Sequence, residues 1–528
     1  MATSTFDAVV IGGGHHGLVA AAELADAGWS VVVLEARDKV GGAVASREVE
    51  GFVLDEFSAC HPLAKASPVI RALQLEDFGL QWADAARPLV HLSATDRPAA
   101  VIEPTPEQTA ERLAVEHPAD GPAWLEMVEQ YRAIREPLLD ALLTSWPPVG
   151  AAARLARRVG LAGLPDLARF LLLPVTRMGE EAFQGPAARN LLAGNAMHSD
   201  VSPTAPVSGM FGWLMSMLAQ DSGFPSPVGG SRALAQALER RAQAAGAEIR
   251  TGERVTALSA GGRGVDVSTA GGLTTRAGRA VICDTSAETL YRELLRPDDL
   301  PAGVLKRMDQ FQWDLPTVKL NYRLSSPVPW TDPTARGAGV VHLGHDHRSL
   351  AVWSAQLEAG QLPAEPFCLV GQMTTIDPSR SPQGTETLWL YTHLPRGCTN
   401  PGVAADIAER AERLLDGHAP GWRDLVLDRW VQGPQELQAS NANLGLGAVG
   451  GGTQQLFQQA IWRPFTSLGG PRTVVPKVYL GSAAIHPGGG VHGGCGHLAA
   501  QAALADNGLV GKGRAGLLRR ANRRLAAR

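Results

Sequence analysis

The 528-residue chain is short of several things that would have declared a function at once. Its five cysteines (Cys60, Cys283, Cys368, Cys398 and Cys495) are scattered, with no C-x-x-C pair and no Cys/His spacing of the zinc-binding kind. Thiol–disulfide chemistry and a metal centre are therefore not expected, and a reducing compartment fits. Charge of one sign is lacking as well: 48 Lys and Arg stand against 52 Asp and Glu, net −4, which gives no reason to expect nucleic acid. No apolar run reaches the roughly 18 residues needed to span a bilayer. The nearest, residues 160–178, is broken by Pro165, Asp166, Arg169 and Pro174. The start, MATSTFDAVV, has no basic n-region, apolar h-region or Arg-rich transit stretch, so a cytoplasmic location is expected.

Glycine, by contrast, is abundant, with 59 residues, so a glycine pattern alone says little. G-x-G-x-x-G occurs at Gly12, Gly14 and Gly17, again at Gly445, Gly447 and Gly450, and again at Gly488, Gly490 and Gly493. Only the first match follows a β-branched run (residues 6–11), opens an Ala-rich helical segment (18–27) that stops at Gly28, and precedes a second apolar run ending in an acid, Glu35. That context predicts a βαβ unit holding a dinucleotide. Gly12 permits the tight turn, Gly14 lets backbone N–H groups approach a pyrophosphate, and Gly17 lets helix and strand pack closely. The helix N-terminus supplies positive potential, and Glu35 accepts from an adenosine ribose while repelling a 2′-phosphate.

Further along, residues 83–220 are helical in flavour and punctuated by proline, which predicts an inserted, mainly α region. An α/β pattern returns from residue 228, where Ser231 is placed to cap a helix ending near Gly246 and a strand follows over 249–258. Segments such as TVKLNYRL and TLWLYTHL, within 310–400, alternate as strands of an antiparallel sheet do. A helix is expected over 403–415, a glycine-rich loop over 445–452, and a final strand (474–480), loop (486–496) and helix (498–504). The tail after residue 510 carries seven basic residues and no acid, with Leu517, Leu518 and Leu525 as a narrow apolar stripe. A frayed, solvated terminus is one expectation for it, and peripheral contact with an anionic lipid surface is the other.

The segments EARDKVGGA, VGGSRALAQALERRA, TTIDPSRSPQGTETLWLYTHLP and VYLGSAAIHPGGGVHGGCGHLAAQAAL together resemble phytoene-desaturase-like FAD-dependent oxidoreductases, in particular the branch of pyridine nucleotide-disulfide oxidoreductase domain proteins. The resemblance implies an α/β fold: a discontinuous Rossmann-like FAD-binding domain (1–82, 221–300 and 470–510) and a second α+β substrate domain with an antiparallel sheet and inserted helices (83–220 and 301–469), then the basic tail (511–528). It implies FAD with Gly12, Gly14 and Gly17 at the pyrophosphate and Glu35 at the ribose. Arg37, Gly42 and Ala43 fall near the phosphates and ribityl chain, and Val255 at the adenine, with His16, Ala36, Ser482 and Pro487 completing the contacts. Gly490, Val491 and His492 aim a second helix N-terminus at the flavin ring, where positive potential stabilises the anionic reduced form.

The activity so implied is removal of a hydride from a carbon of an apolar organic substrate to flavin N5, with no obligatory catalytic triad. His492 and His61 are the candidates for a proton-handling role, whereas three histidines in the last loop (His486, His492 and His497) lack the carboxylate or cysteine spacing of a metal site. Carotene desaturases usually carry Arg where Ala43 stands, and a Gly before His-Pro-Gly where Ser482, Ala483 and Ala484 stand. Both departures point away from a carotenoid. The alternatives are an amine oxidase of related architecture, which would need an aromatic pair facing the flavin, and a non-catalytic lipid-binding or escort protein on the same fold.

Overall fold

A computed structural model of the chain describes residues 4–468, 470–508 and 511–527. The domain limits expected at 1, 469, 510 and 528 lie outside the described residues.

Ala8, Val9, Val10 and Ile11 are apolar on both faces of their strand, which only a strand covered on both sides accommodates. The strand Ser4–Ile11 accordingly sits inside a parallel layer. Val31–Leu34 and then Glu248–Arg250 lie on one side of it, and Thr274–Cys283 lies on the other. Thr274–Cys283 is long enough to fork. Its last residues pair in parallel with Val478–Leu480, and its first half pairs antiparallel with Gly264–Thr269, which continues to Val255–Gly261. The first helix, His15–Asp26, buries Leu18, Val19 and Leu24 against this layer. It ends in a Schellman motif, with Gly28 N–H donating to Ala25 O (2.8 Å) and Trp29 N–H to Leu24 O (3.1 Å), Gly28 taking the left-handed conformation.

The second sheet runs Val426–Gln432, Thr317–Leu324, Glu386–His393, Cys368–Gln372, Ala338–Leu343, Arg87–Leu92, Ala100–Ile102. It is antiparallel except where Ala338–Leu343 and Arg87–Leu92 run parallel. The helices Asp120–Leu143, Pro186–Ala196 and Ser208–Ser222 share one core with it, through Trp124, Trp213, Leu191 and Leu369.

Four expectations change in detail. The stretch 83–220 is not wholly an α insertion, because Arg87–Leu92 and Ala100–Ile102 form the far edge of the second sheet. Ser231 is the first helical residue rather than the cap: Gly230, at φ +96°, is the N-cap, and Ser231 Oγ donates to Ser58 O at 2.7 Å. The last strand is only Val478–Leu480, since Pro476 has no N–H to give and Lys477 adopts φ +64°. The basic tail is a docked helix, Gly511–Ala527, rather than a frayed end. Asn522 bonds both the N–H and the carbonyl of Leu468 (2.6 and 2.7 Å), and Arg307 donates to Leu525 O (2.7 Å).

Candidate functional site

Register places the site. Ile11 pairs with Leu34 and with Cys283, and Cys283 with Leu480, so the residues that follow these strands emerge side by side at one carboxyl edge of the sheet. They are Gly12, Glu35, Asp284 and Gly481. Ligands of open parallel sheets bind at this edge. Gly12 turns the chain at φ +95°, and a Cβ on Gly14 or Gly17 would overlap Asp284 Oδ2 or Gly12 O respectively. The turn and the first residues of His15–Asp26 therefore carry no bulk of their own: the N-cap, Gly14, has no side chain to cap the helix, and the carboxylate that reaches its N-terminus comes from Asp284. Glu35, 7 % exposed, accepts from Gly13 N–H (2.7 Å) and Arg37 N–H (2.8 Å), so its carboxylate also fixes the turn and keeps acceptor capacity to spare. Asp284 accepts from Gly17 N–H at 2.9 Å, and burial together with the Glu35 charge pushes its carboxyl up to about 7.

The carboxy-terminal loop closes on this turn. His15 Nε2 approaches Gly490 O at 3.3 Å, His497 Nδ1 meets Glu23 Oε1 at 2.7 Å, and a Cβ on Gly496 would overlap the His16 carbonyl. The helix Gly494–Asn507 therefore packs tightly against His15–Asp26. His492 serves the loop itself: its Nδ1 accepts from Gly494 N–H (3.0 Å) and its Nε2 faces Gly488 O (3.3 Å), while burial holds its pKa down at about 3. Its neighbours His16 and Cys495 bring ligand-type atoms within 4.8 Å of it, a cluster that sequence spacing did not foreshadow. Since both His492 nitrogens are engaged, we read that cluster as packing.

One cavity of about 400 Å³ runs from the turn to the second sheet. Gly14, His16, Gly42 and Ala43 line it from the amino-terminal unit, and Ser482, Gly490 and Val491 line it from the carboxy-terminal one. His61 lines it too, with Nε2 at 2.9 Å from Ser231 Oγ, Nδ1 unpartnered and its pKa lowered by burial to about 4. Gly12, Gly17 and Glu35 stand behind the cavity wall in the turn itself. Ala36, Arg37, Val255, Pro487 and His492 also lie off the lining, Arg37 pairing with Glu56 at 3.6 Å. An elongated dinucleotide fits this arrangement: a glycine turn with no bulk of its own at one end, bordered by the carboxylates of Asp284 and Glu35, a glycine-rich loop beside a helix N-terminus further on, and a chamber beyond.

The apolar segment 210–218, which reads in the sequence as a candidate cavity lining, supplies Phe211 and Met215 to that chamber, but nothing in the sequence singled out the residues on the second sheet. Trp389 and Tyr391, two positions apart on one strand, stack there with ring centroids 5.9 Å apart and planes at 20°. Strand alternation in TLWLYTHL was the available signal. Lys319, opposite Tyr391 in register, donates to Phe57 O (2.9 Å) and Asp55 O (2.5 Å), and burial lowers its pKa to about 8. Asp314 accepts from Gly450 N–H, and burial with the nearby Asp200 pushes its carboxyl up to about 8. Beneath the chamber the fully buried Asp55 pairs with Arg380. Burial pushes its carboxyl up, but Arg380 and hydrogen bonds from Ser231 and Ser46 outweigh that and hold it below the usual range.

Comparison with known proteins agrees with this geometry. The chain is 27 % identical to pyridine nucleotide-disulfide oxidoreductase domain-containing protein 2 of Rattus norvegicus, over 95 % of this chain and 94 % of the relative. It is 26 % identical to a zeta-carotene-forming phytoene desaturase of Myxococcus xanthus, over 86 % of each. A solved putrescine oxidase, redesigned in its cofactor binding, shares the fold at TM-score 0.59 with 18 % identity, covering 96 % of this chain and 99 % of that one. Among the described residues no helix is long and apolar enough to cross a membrane. Residues 17–504 match the model of the flavin containing amine oxidoreductases, so the chain belongs to that family and FAD is its cofactor.

Proposed function

We propose that the protein is an FAD-dependent dehydrogenase or desaturase that oxidises a carbon of an apolar organic substrate. The observation that carries this reading is the continuity of the glycine cradle with a chamber walled by Phe57, Leu63, Phe211, Met215, Phe224 and Trp389. Bound FAD supplies the two-electron acceptor. The chain's own residues bind and orient it: the turn Gly12–Gly17 and Glu35 take the adenosine diphosphate half, and the loop bearing Gly490 and Val491 steadies the ring. The apolar walls hold the substrate out of water, and His61, buried with a bare Nδ1, is a neutral acceptor for a substrate proton. The similarity to a phytoene desaturase supports a hydrophobic substrate. Anaerobic mixing with alkenes and polyenes is expected to bleach the flavin absorbance, whereas alkylamines leave it yellow; the reverse pattern overturns the reading.

That reverse pattern would favour an amine oxidase, for which the stacked Trp389 and Tyr391 are the specific support. Hydrogen peroxide release on amine addition is its signature. The helix Gly511–Ala527 leaves Lys512, Arg514, Arg520, Arg523 and Arg524 exposed beside an exposed Leu517, which supports a peripheral contact with anionic lipid. Co-sedimentation with phosphatidylglycerol vesicles but not phosphatidylcholine vesicles is the expected result, and equal recovery with both refutes it.

A further inference from the structure

Three histidines meet in the substrate-side wall, outside every motif used above. His91 and His342 are register partners on the parallel strands Arg87–Leu92 and Ala338–Leu343, 1 % and 0 % exposed, with rings 5.6 Å apart at 86°. His198 follows the helix Pro186–Ala196, stacks on Phe224 (5.5 Å, 11°) and lines the cavity, as Phe224 does. Its Nε2 lies 3.0 Å from His342 Nε2.

Hydrogen-bond bookkeeping fixes where the protons sit. His91 Nε2 faces a carbonyl, that of His345, at 2.8 Å, so it carries a proton and donates it, leaving Nδ1 bare. His342 Nδ1 is buried without a partner. A buried, unpaired N–H is rarer than an unpaired acceptor, so His342 carries its proton on Nε2 and donates to His198 Nε2. Gly194 agrees with bare acceptors here, because a Cβ on it would lie 2.5 Å from both His91 Nδ1 and His342 Nδ1, which leaves room only for its hydrogen. His198 Nε2 is then the acceptor. Its proton is on Nδ1, the nitrogen left for a ligand in the cavity.

We propose that His198 Nδ1–H is a polar subsite in this otherwise apolar wall, taking a carbonyl or ether oxygen of the substrate, with His342 as the positioning residue that fixes its tautomer. The proposal rests on the reading of the cavity as an apolar-substrate site and narrows it: among hydrophobes that enter, oxygenated ones bind in preference to the matching hydrocarbons. Burial keeps all three imidazoles neutral near pH 7, which suits a neutral oxygen better than a carboxylate.

Calorimetric titration of the flavin-loaded protein with 2-decanone and with 1-decene tests it. The ketone is expected to bind about five-fold more tightly, the value of one net hydrogen bond. His198→Phe keeps the stack on Phe224 and deletes both nitrogens, so the preference disappears; His198→Asn puts an amide donor at the Nδ1 position and retains part of it. His342→Leu lowers the preference and His342→Gln, which supplies an N–H at the Nε2 position, restores it, an order that a merely structural role would not produce. The subsite is overturned if the wild type takes both ligands equally or takes neither, or if His198→Phe or the double variant His198→Phe/His342→Phe keeps the preference. A colourless wild-type protein would instead sink the flavin reading, so the two failures are distinguishable.

Discussion

The two ends of the cavity are built on different principles. At the glycine-turn end the work falls to backbone: Gly14 and Gly17 let the chain pass close to Asp284, and Glu35 braces the turn through Gly13 N–H. At the chamber end it falls to side chains brought from distant parts of the chain: Lys319 and the pair Trp389 and Tyr391 on two neighbouring strands, and His198 after a helix. The first kind tolerates almost no added atom, whereas the second tolerates exchange at the cost of selectivity.

The sharpest way to break that contrast is Gly14→Asp. It adds bulk and a second carboxylate against Asp284 Oδ2, and complete loss of flavin from the purified protein is expected. A yellow variant with normal occupancy would show that the turn does not hold the pyrophosphate. Next in size is Arg380→Met, which strands the buried carboxylate of Asp55 between the two ends; a loss of about 3–5 kcal/mol in denaturant unfolding is expected. Lys319→Met probes the side-chain end by pH. The folded pKa of Lys319 is lowered from 10.5 to about 8, so burying its charge destabilises the wild type below pH 8, and that penalty fades as pH rises towards 10.5. The stability of the wild type relative to Lys319→Met should therefore climb by roughly 3 kcal/mol across this window; a flat difference curve would mean that the amine titrates normally. The smallest effect belongs to the tail. Asn522→Ala removes the bonds to Leu468 and should cost about 1–3 kcal/mol by urea titration, with flavin content unchanged.

The same contrast explains what could be read in advance. The turn, the first helix with its stop at Gly28, and Glu35 were legible because their conformations are local requirements and glycine spells them out. The second sheet was legible as alternation, but alternation does not say which face meets the cavity, and so Trp389 and Tyr391 stayed hidden inside TLWLYTHL. A quieter signal lay in TVKLNYRL, where Lys319, Asn321 and Arg323 recur at every second position of a strand that proves buried throughout. His198 could not have been found, because His342, which orients it, lies 144 residues away. Ser231 shows the remaining kind of miss, where a serine at the start of a helix prefers a distant carbonyl, that of Ser58, to the local cap.

The close fit of Gly496 beneath the carbonyl of His16 carries a consequence for biosynthesis. The helix that completes the surroundings of the first one, Gly494–Asn507, leaves the ribosome more than four hundred residues after it. A nascent chain thus holds half a socket for most of its synthesis, with Val19 and Leu18 short of their final neighbours. Loading of the cofactor must wait until the helix Gly494–Asn507 has been made, and a chain cut before residue 494 should be obtained without colour.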